Sequence, residues 1–443
     1  MRIEDLRIAV VGAGIGGLTA AAALQRAGLR CMVYEQAPQL AEVGAGLQLA
    51  PNAARHLHQL GLAGHLARVA VRPLAIEMLR WDSGQTIMQT PLDGCEELFG
   101  APYYTVHRAH LHQGLLDLLE PGTVRLGRRC TGIAERPGEV ELRFADGSTA
   151  TADVVVGADG IHSAVRGWLA PDAPRFSGQT IYRGLLPAAE VPGTVRPPRV
   201  RLWLGRDQHC VAYPVAGGRL VSFAATTPAA GWHAESWVAP GDPAELLAAY
   251  RGWHPNVREL LRAARTVSRW ALHDRATIPT WSTARVTLLG DAAHPMLPFL
   301  AQGANQAVED AVALATCLRA AAAPPATPGA AAPPTATPPT AAPRAAAPPA
   351  TPGAATPPAT APPATAGGPP ARSSLAEALH RYEAVRVPRT AEVHRRSRAN
   401  ATTLHLPDGD GQRERDARLA GSAGLRDQDW LYGYDAELAA TTA

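Results

Sequence analysis

The sequence predicts an α/β fold with a parallel, Rossmann-like sheet near the N-terminus, an inserted antiparallel β-sheet and helices at the C-terminus. Three observations support this prediction. A short apolar strand, a glycine-rich turn, a helix and a second strand fill the first 35 residues. Short apolar runs separated by Gly and Pro occupy the middle of the chain, and a long Ala/Pro-rich segment precedes the C-terminal part.

The composition fits a globular protein and excludes several kinds of chemistry. The 443 residues are 46% hydrophobic and 18% charged, enough for one large or two ordinary domains with a core. All 42 basic residues are Arg, which excludes Schiff-base catalysis and other chemistry of a side-chain amine. The net charge is +3 and the basic residues are spread along the chain, so we expect no nucleic-acid partner.

The five cysteines are odd in number, far apart and without CxxC spacing, so we expect neither a disulfide scaffold nor a metal site. No apolar run approaches the roughly 18 residues of a membrane span, and the N-terminus lacks the pattern of a signal peptide. These features predict a cytoplasmic protein without a membrane span. The sequence leaves its state open between monomer and homodimer.

The N-terminal unit has the pattern of a dinucleotide site. An apolar strand (RIAVV) leads into Gly12, Gly14 and Gly17, then a helix-forming run, then a second strand (RCMVYE) that ends in Glu35. In such a unit the first glycine permits the tight turn, the second lets a pyrophosphate approach, and the third lets the helix pack on the strand. Glu35, 18 residues beyond Gly17, is placed to accept hydrogen bonds from a ribose. This unit alone does not distinguish FAD from NAD(P).

Two further motifs narrow the choice. The first is an apolar strand that runs into Asp159-Gly160, and the second is an apolar strand that ends in Gly290-Asp291, followed by Gly303. In this order the three motifs resemble those of the single-component FAD-dependent aromatic hydroxylases, the class A flavoprotein monooxygenases, nearest to the salicylate-hydroxylase-like group. The resemblance covers nearly all of the chain except the Pro-rich segment. It includes LHLPDG, from Leu404, and WLYGY, from Trp430.

The resemblance implies a GR2-type, Rossmann-like FAD-binding domain with an inserted antiparallel β-sheet substrate domain and C-terminal helices. The Ala/Pro-rich segment contains 17 of the 40 prolines and has nothing large to bury, so we expect it to be disordered. The predicted boundaries are 1–71, 102–175 and 280–320 for the FAD-binding domain, 72–101 and 176–279 for the substrate sheet, 321–373 for the insert and 374–443 for the C-terminal helices.

Residues in the second half of the cofactor site follow from position and resemblance. Asp291, just after a buried strand, is placed to accept a hydrogen bond from a ribityl hydroxyl, although an ordinary helix N-cap would use the same residue type. Gly303, Ala304 and Asn305 are expected to begin a helix whose N–H groups face the flavin.

The resemblance assigns three more residues to the cofactor. Arg108 would reach it from a helix start, the alternative being a solvated helical arginine. Cys130 would lie in a strand, residues 125–133, whose main chain brackets the adenine while the thiol only packs. Asp159, in the Asp-Gly pair, would link the pyrophosphate region to the nicotinamide nucleotide. The chain has no second GxGxxG, which fits a group whose NAD(P)H has no Rossmann domain of its own.

The substrate site is expected on the inserted sheet. In QHCVAYPV, strand alternation places His209 and Tyr213 on one face, about 13 Å apart at about 3.3 Å per residue. The resemblance makes both catalytic, assisting deprotonation of a phenol, and a histidine with an unshifted pKa of about 6.5 suits a base; packing roles are the alternative. Arg183 is expected to hold a carboxylate, contact the flavin or brace the sheet, and Pro298 to face the substrate hydroxyl.

The activity implied is that of an FAD-dependent monooxygenase. NADH or NADPH would reduce FAD, and a C4a-hydroperoxide formed with O2 would hydroxylate a small phenolic or aromatic substrate, with or without a carboxylate. One alternative is an epoxidase or hydroxylase acting on a larger aromatic or polyketide substrate. Another is a non-catalytic flavin-binding protein. A halogenase is excluded because it needs a catalytic lysine and the chain has none.

Overall fold

The computed structural model describes residues 6–40, 45–191, 193, 196–229, 239–322 and 374–443. The predicted disordered insert, 321–373, therefore lies outside the described residues except for its first two positions. Those two positions, Ala321 and Ala322, end a helix.

Five short strands form a parallel sheet around the N-terminal motif: β1 (Ile8–Val11), β2 (Cys31–Tyr34), β7 (Val124–Arg125), β11 (Val154–Gly157) and β18 (Val286–Leu288). Their order is β18-β11-β1-β2-β7, and every pairing is parallel. All residues of β1 and β11 are buried, as expected for a parallel sheet that helices cover on both faces. The predicted Rossmann-like sheet is confirmed.

The middle of the chain forms an eight-stranded sheet: β4 (Ala75–Arg80), β5 (Thr86–Pro91), β12 (Arg175–Pro187), β13 (Val200–Gly205), β14 (Gln208–Val215), β15 (Leu220–Pro228), β16 (Pro240–Gly241) and β17 (Val267–Asp274). The order is β16-β17-β12-β15-β14-β13-β4-β5. Neighbouring strands are antiparallel except β13 and β4, which are parallel and far apart in the sequence. The predicted inserted sheet is confirmed, including its strands between 72 and 91.

Two small antiparallel sheets complete the strands: β3 (Gly46–Leu49) with β6 (Tyr104–His107), and β8 (Cys130–Arg136), β9 (Glu139–Phe144) and β10 (Thr149–Ala152).

The prediction of a single strand over 125–133 is wrong. Arg125 ends β7 in the parallel sheet, Cys130 begins β8 in another, and the chain turns between them at Gly127, whose φ is +68°.

Thirteen helices are described: α1 (Ile15–Arg26), α2 (Pro51–Leu57), α3 (Ala63–Val69), α4 (Cys95–Phe99), α5 (Arg108–Asp117), α6 (Ala164–Leu169), α7 (Pro243–Ala249), α8 (Pro255–Ala263), α9 (Gly303–Ala322), α10 (Leu375–Leu404), α11 (Asp410–Ala420), α12 (Asp429–Tyr432) and α13 (Ala436–Thr442). The helices expected after the glycine loop, at Gly303 and at the C-terminus are present. Helices α7 and α8 interrupt the region where only strands were predicted.

Among the described residues, no helix has both the length and the apolar character needed to cross a membrane.

The two faces of the eight-stranded sheet have different partners. Helices α7 and α8 cover one face, where Trp203, Phe223 and Leu260 share a buried apolar cluster. The opposite face packs against the segment that follows β18, since Ile181 and Trp270 cluster with Phe299. The second face is the one that carries the predicted substrate residues.

Candidate functional site

The glycine loop has the tight geometry that its sequence predicts. Gly12 has a φ of +104°, and a Cβ there would lie 2.4 Å from the carbonyl oxygen of Ala158. A Cβ on Gly17 would lie 2.0 Å from the carbonyl oxygen of Gly12, so the helix approaches the strand only because Gly17 has no side chain. A Cβ on Gly14, in contrast, would meet no described atom within 4 Å. The space above Gly14, at the N-terminus of α1, is therefore open.

Glu35 is joined to this loop by hydrogen bonds. Its Oε2 accepts the N–H of Ala13 at 2.7 Å, and its Oε1 accepts that of Ala37 at 2.8 Å. A carboxylate has about four acceptor positions, so it retains capacity for a ligand's hydroxyl groups. On the other side of the loop, the buried side chain of His112 lies with Nε2 2.8 Å from the carbonyl oxygen of Ala13. No sequence motif pointed to this role of His112.

The Asp159 motif caps a helix and connects two loops. Asp159 accepts from the Ser163 hydroxyl at 2.5 Å and from the N–H of Ala164 at 2.7 Å, at the start of α6. Burial raises the pKa of Asp159. Arg166, the third residue of α6, is fully buried and donates to the carbonyl oxygens of Ala292 and Ala293. The Asp159 and Asp291 motifs, far apart in sequence, are thus held together through Arg166.

Asp291 lies in the turn after β18, next to the start of α9. A Cβ on Gly303 would lie 3.8 Å from Oδ1 of Asp291, so the carboxylate and the helix N-terminus are adjacent. The side chain is exposed, but it opens into a cleft, and its enclosure there raises the pKa of Asp291. It is not the N-cap of α9, so the alternative of a simple helix cap does not describe it.

A buried ionic network connects the turn that carries Asp291 to helices α9 and α10, and the sequence analysis did not predict it. Asp310 of α9 accepts the N–H of Gly290 at 2.9 Å and lies 2.6 Å from Nε2 of His294. Arg386, from α10, donates to Asp310 and to Glu309 at 2.7 and 2.6 Å. Burial alone would raise the pKa of Asp310, but the charges of His294 and Arg386 lower it overall. Acidic residues inside an apolar helix were the available sequence signal.

Helix α9 begins at Gly303, as predicted, and Asn305 fixes that end. The Asn305 side chain accepts the N–H of Ala50 at 2.9 Å and donates to the carbonyl oxygens of Gln48 and Ala301. Both N–H groups of the Asn305 amide are therefore used within the protein, and the donors that the helix start has left to offer are its backbone N–H groups, with Ala304 second in the helix.

A small cavity of about 100 Å³ brings several predicted residues together. Arg183, Asp291 and Pro298 line it, with Trp270 and Met296 among its other walls. The guanidinium of Arg183 stacks over the Trp270 ring, 4.5 Å from its centroid. Burial and the positive charge of Arg108 lower the pKa of Arg183 to about 10, which still leaves it charged at neutral pH. The nearby Arg108 begins α5 as predicted.

Tyr213 and His209 occupy the predicted face of β14, and both are buried. Burial raises the pKa of Tyr213, and the nearby side chains of Ser222 and Gln48 oppose that rise. His209 lies 2.7 Å from His405, which follows α10. Burial and His405 lower the pKa of His209 well below its usual value, so the expected pKa near that of free histidine is wrong.

Cys130 begins β8 near Asp159. Burial raises the pKa of its thiol, and the negative charge of Asp159 adds to that rise. The thiol contacts the carbonyl oxygen of Gly132 within its own strand. Nothing in its surroundings activates it as a nucleophile. Among the residues that the structure describes, no cluster of His, Cys, Asp and Glu could hold a metal ion.

These features fit FAD. The open space at Gly14 would admit a pyrophosphate beside the N-terminus of α1, and Glu35 keeps acceptor capacity at the end of β2. The carboxylate of Asp291 and the start of α9 border one cleft, where a ribityl chain and a flavin ring would find an acceptor and backbone donors. The parallel sheet, the glycine loop and the cleft beside the eight-stranded sheet together define a flavin-dependent oxidoreductase.

Comparison with known proteins identifies the family. Residues 5–328 match the family model described as FAD binding domain, and the chain belongs to that family. It is 47% identical to a 3-amino-4-hydroxybenzoate 2-monooxygenase of Streptomyces platensis over 97% of this chain and 96% of the relative. It is 38% identical to the 6-hydroxynicotinate 3-monooxygenase of Bordetella bronchiseptica, over 70% of this chain and 81% of that protein.

Solved structures agree with this assignment. A complex of Klebsiella pneumoniae HpxO with FAD and uric acid superimposes with a TM-score of 0.76 and 26% identity, covering 99% of this chain and 98% of that chain. A salicylate hydroxylase substrate complex gives a TM-score of 0.74 and 25% identity, covering 98% and 97%. The protein is an FAD-dependent monooxygenase of the aromatic hydroxylase type.

Proposed function

We propose that this protein hydroxylates 3-amino-4-hydroxybenzoate, or a close aminohydroxybenzoate, at the ring position between the amino and carboxyl-bearing carbons. The observation that carries the proposal is the extent of the likeness. The 3-amino-4-hydroxybenzoate 2-monooxygenases match 97% of this chain or more, whereas the 6-hydroxynicotinate and 3-hydroxybenzoate enzymes match about 70%. The C-terminal segment, which supplies His405, is thus part of the likeness to the first group.

The reductant in this proposal is NADH or NADPH, and the oxidant is O2. Bound FAD would supply the electron transfer and the activation of oxygen, which no side chain of the protein can perform. The chain would bind FAD through Gly12, Gly14 and Gly17, with Glu35 and Asp291 accepting from its hydroxyl groups. Arg108, Asp159, the main chain at Cys130 and the N–H groups at Gly303 and Ala304 would complete the site.

The eight-stranded sheet would roof the reacting ring. Its apolar face keeps water from the site, which protects reactive species and strengthens every polar contact there. Arg183 would supply the positive charge that an anionic carboxylated substrate needs, since it remains protonated and lines the cavity. His209 and Tyr213 would contact the phenolic oxygen, and the carbonyl of Pro298 would face it from the opposite side of the cleft.

The experiment is a substrate screen with the purified FAD-loaded protein. We expect 3-amino-4-hydroxybenzoate to accelerate NADH or NADPH oxidation and to yield a product with one oxygen atom from ¹⁸O-labelled O2. Salicylate, 3-hydroxybenzoate, 4-hydroxybenzoate and 6-hydroxynicotinate serve as competitors. Preference for one of these four would overturn the substrate, and a flavin-loaded protein that none of the five stimulates would overturn the hydroxylase proposal itself.

A further inference from the structure

A pair of buried histidines joins the C-terminal segment to the substrate sheet. Nδ1 of His209, on β14, lies 2.7 Å from Nε2 of His405, just beyond α10, although the two residues are 196 positions apart. The two ring planes are 24° apart with their centroids 5.0 Å apart, as in two rings joined end to end, and the Phe299 ring makes a T-shaped contact with both. Both side chains are buried. At this distance one of the two nitrogens must carry the proton that the other accepts.

The surroundings decide which nitrogen carries it. Nε2 of Gln179 lies 3.3 Å from the carbonyl oxygen of Asp207 and 2.9 Å from Nδ1 of His405. A carbonyl oxygen only accepts, so this end of the Gln179 amide is the NH2 group, and it donates to both atoms. Nδ1 of His405 is therefore an acceptor, which puts the proton of His405 on Nε2. That proton points to Nδ1 of His209, and the N–H of His209 must then be on its Nε2.

Neither ring has a reason to become charged. Burial, and then His405, lower the pKa of His209, and burial lowers that of His405 to about 4 despite the opposing charge of Asp207. The remaining polar neighbours are hydroxyl groups, which carry no charge. Thr226 accepts the backbone N–H of His209, and its Oγ1 also lies 3.2 Å from Nδ1 of His209 and 3.4 Å from Nε2 of His405. Tyr250 donates to the backbone carbonyl of His209. The pair is thus two neutral imidazoles with a fixed direction of hydrogen bonding.

The side chain of His209 lies on the substrate face of the sheet, because its cross-strand partner Leu204 clusters there with Ile181 and Trp270. Ile181 pairs across the sheet with Thr226 and with Trp270, and Thr226 is the residue that bonds to His209, so these side chains share a face. Trp270 lines the cleft with Arg183. Among the described residues, no protein group is hydrogen-bonded to Nε2 of His209.

We propose that His405, held by Gln179, fixes the tautomer of His209 so that His209 presents an N–H donor to the phenolic oxygen of the substrate and binds the phenolate. His405 and Gln179 are positioning residues in this scheme. The phenol loses its proton to solvent as the phenolate binds, and His209 gains none, which differs from a histidine that takes the proton as a base. The scheme rests on the proposed function, because it needs a phenolic substrate.

The first test needs no substrate. In the FAD-loaded protein with ¹⁵N-labelled histidine, the His209 signals, assigned by loss in His209→Asn, should report a protonated Nε2 and an unprotonated Nδ1. Gln179→Glu places an acceptor beside Nδ1 of His405 and should reverse both tautomers. Gln85→Glu adds the same charge at an exposed position and should leave them unchanged. A wild-type His209 with its proton on Nδ1 overturns the proposal.

The second test measures the bound phenol. Oxidised enzyme without NAD(P)H is titrated with 3-amino-4-hydroxybenzoate in weak buffer, following the phenolate absorbance and the proton released. We expect nearly one proton released per ligand below the phenol's own pKa. His405→Leu should raise the apparent pKa of the bound phenol by about one unit, because the Nε2–H of His209 is then no longer fixed as a donor to the phenolate. His405→Gln, whose amide can donate to His209, should recover most of the shift.

The two proposals fail differently. If the compound does not bind, the proposed substrate is wrong, while the ¹⁵N signals still decide the tautomer. If the compound is turned over but no proton is released on binding, and His209 becomes protonated at both nitrogens, the donor scheme is wrong and the proposed function stands. An equal phenol pKa in His405→Leu and wild type would also overturn the scheme.

Discussion

Arg386 donates from Nε to Oδ1 of Asp310 at 2.7 Å, and both side chains are fully buried. The bond joins α10, which follows the Ala/Pro-rich segment, to α9, which precedes it. Through Asp310 it also reaches the N–H of Gly290, the residue before Asp291. The position of a cofactor-site carboxylate therefore depends on an arginine 95 residues further along the chain.

Replacing Arg386 with Met should lower the free energy of unfolding by about 3 kcal/mol, because two carboxylates would lose the cation that compensates their burial. His294 and Arg389 remain as partial partners, so we expect a folded but weakened protein. Arg386→Lys keeps the charge without bridging both acids and should fall between. Urea unfolding and FAD titration measure the two effects; equal stability of the Met variant and wild type would contradict this account.

Two glycines of the N-terminal loop should affect different properties when replaced: Gly17 the stability of the fold, and Gly14 the binding of FAD. Gly17→Ala places a methyl group 2.0 Å from the Gly12 carbonyl oxygen and should destabilise the protein by about 2 kcal/mol or more. Gly14→Ala meets no described atom, so its unfolding free energy should change by less than about 1 kcal/mol. The same methyl group would stand where a pyrophosphate approaches, and the Kd for FAD should rise at least about tenfold. Thermal unfolding of the apo proteins and flavin titration check both; a Gly14 variant with normal FAD affinity would place the phosphates elsewhere.

The sequence predicted what is local and missed what is distant. Glycine spacing reports a turn directly, because only glycine tolerates the φ of Gly12 or the close approach at Gly17. The contacts between Asp310 and Arg386, and between His209 and His405, join segments that only the folded chain brings together. No local pattern encodes such pairs.

Helices α7 and α8 were missed for a different reason. Each begins with a proline after a capping side chain: Asp242 accepts the N–H of Ala244, and His254 that of Asn256. Asp-Pro followed by an apolar run was a usable helix signal, but the surrounding strand-like runs outweighed it.

The Ala/Pro-rich segment should be dispensable for flavin binding. Helices α9 and α10 are joined by the buried bonds from Arg386 to Glu309 and Asp310, so their pairing does not depend on the residues that connect them. Replacing residues 323–373 with about 12 Gly and Ser residues should preserve the FAD spectrum and change the melting temperature little. A matched control carries the same replacement with Arg386→Met, and should lose FAD affinity. Loss of flavin in the deletion alone would assign the segment a structural role.

Asp291 should show opposite effects on stability and on cofactor binding. Enclosure in the cleft raises its pKa, so its ionised form disfavours the folded apo protein above that pKa. Asp291→Asn should therefore melt higher than wild type at pH 7. The difference should shrink as the pH falls through the raised pKa of Asp291 and disappear below about 3.9, where the carboxyl is protonated in the unfolded chain as well.

The same variant should bind FAD about tenfold more weakly, because a neutral amide is a poorer acceptor than a carboxylate. Melting curves of the apo proteins across pH, with flavin titration at pH 7, test the pair of effects. A stability difference that does not depend on pH would show that the charge of Asp291 is not its cause.

Replacing Tyr213 with Phe tests the substrate face of the eight-stranded sheet and leaves its packing intact. Its ring fits against Gly46, where a Cβ would lie 2.5 Å from Cε2, and Phe preserves that contact. Tyr213→Phe removes only the hydroxyl, which lies near the side chains of Ser222 and Gln48. If this hydroxyl orders the phenolic oxygen, kcat/KM should fall about 100-fold, and a larger share of the NAD(P)H oxidised should reduce O2 to hydrogen peroxide without forming product. Tyr182→Phe is the matched control, because Tyr182 donates to Glu245 from the helix-covered side of the same sheet. Equal product yield per NAD(P)H in the two variants would return Tyr213 to a packing role.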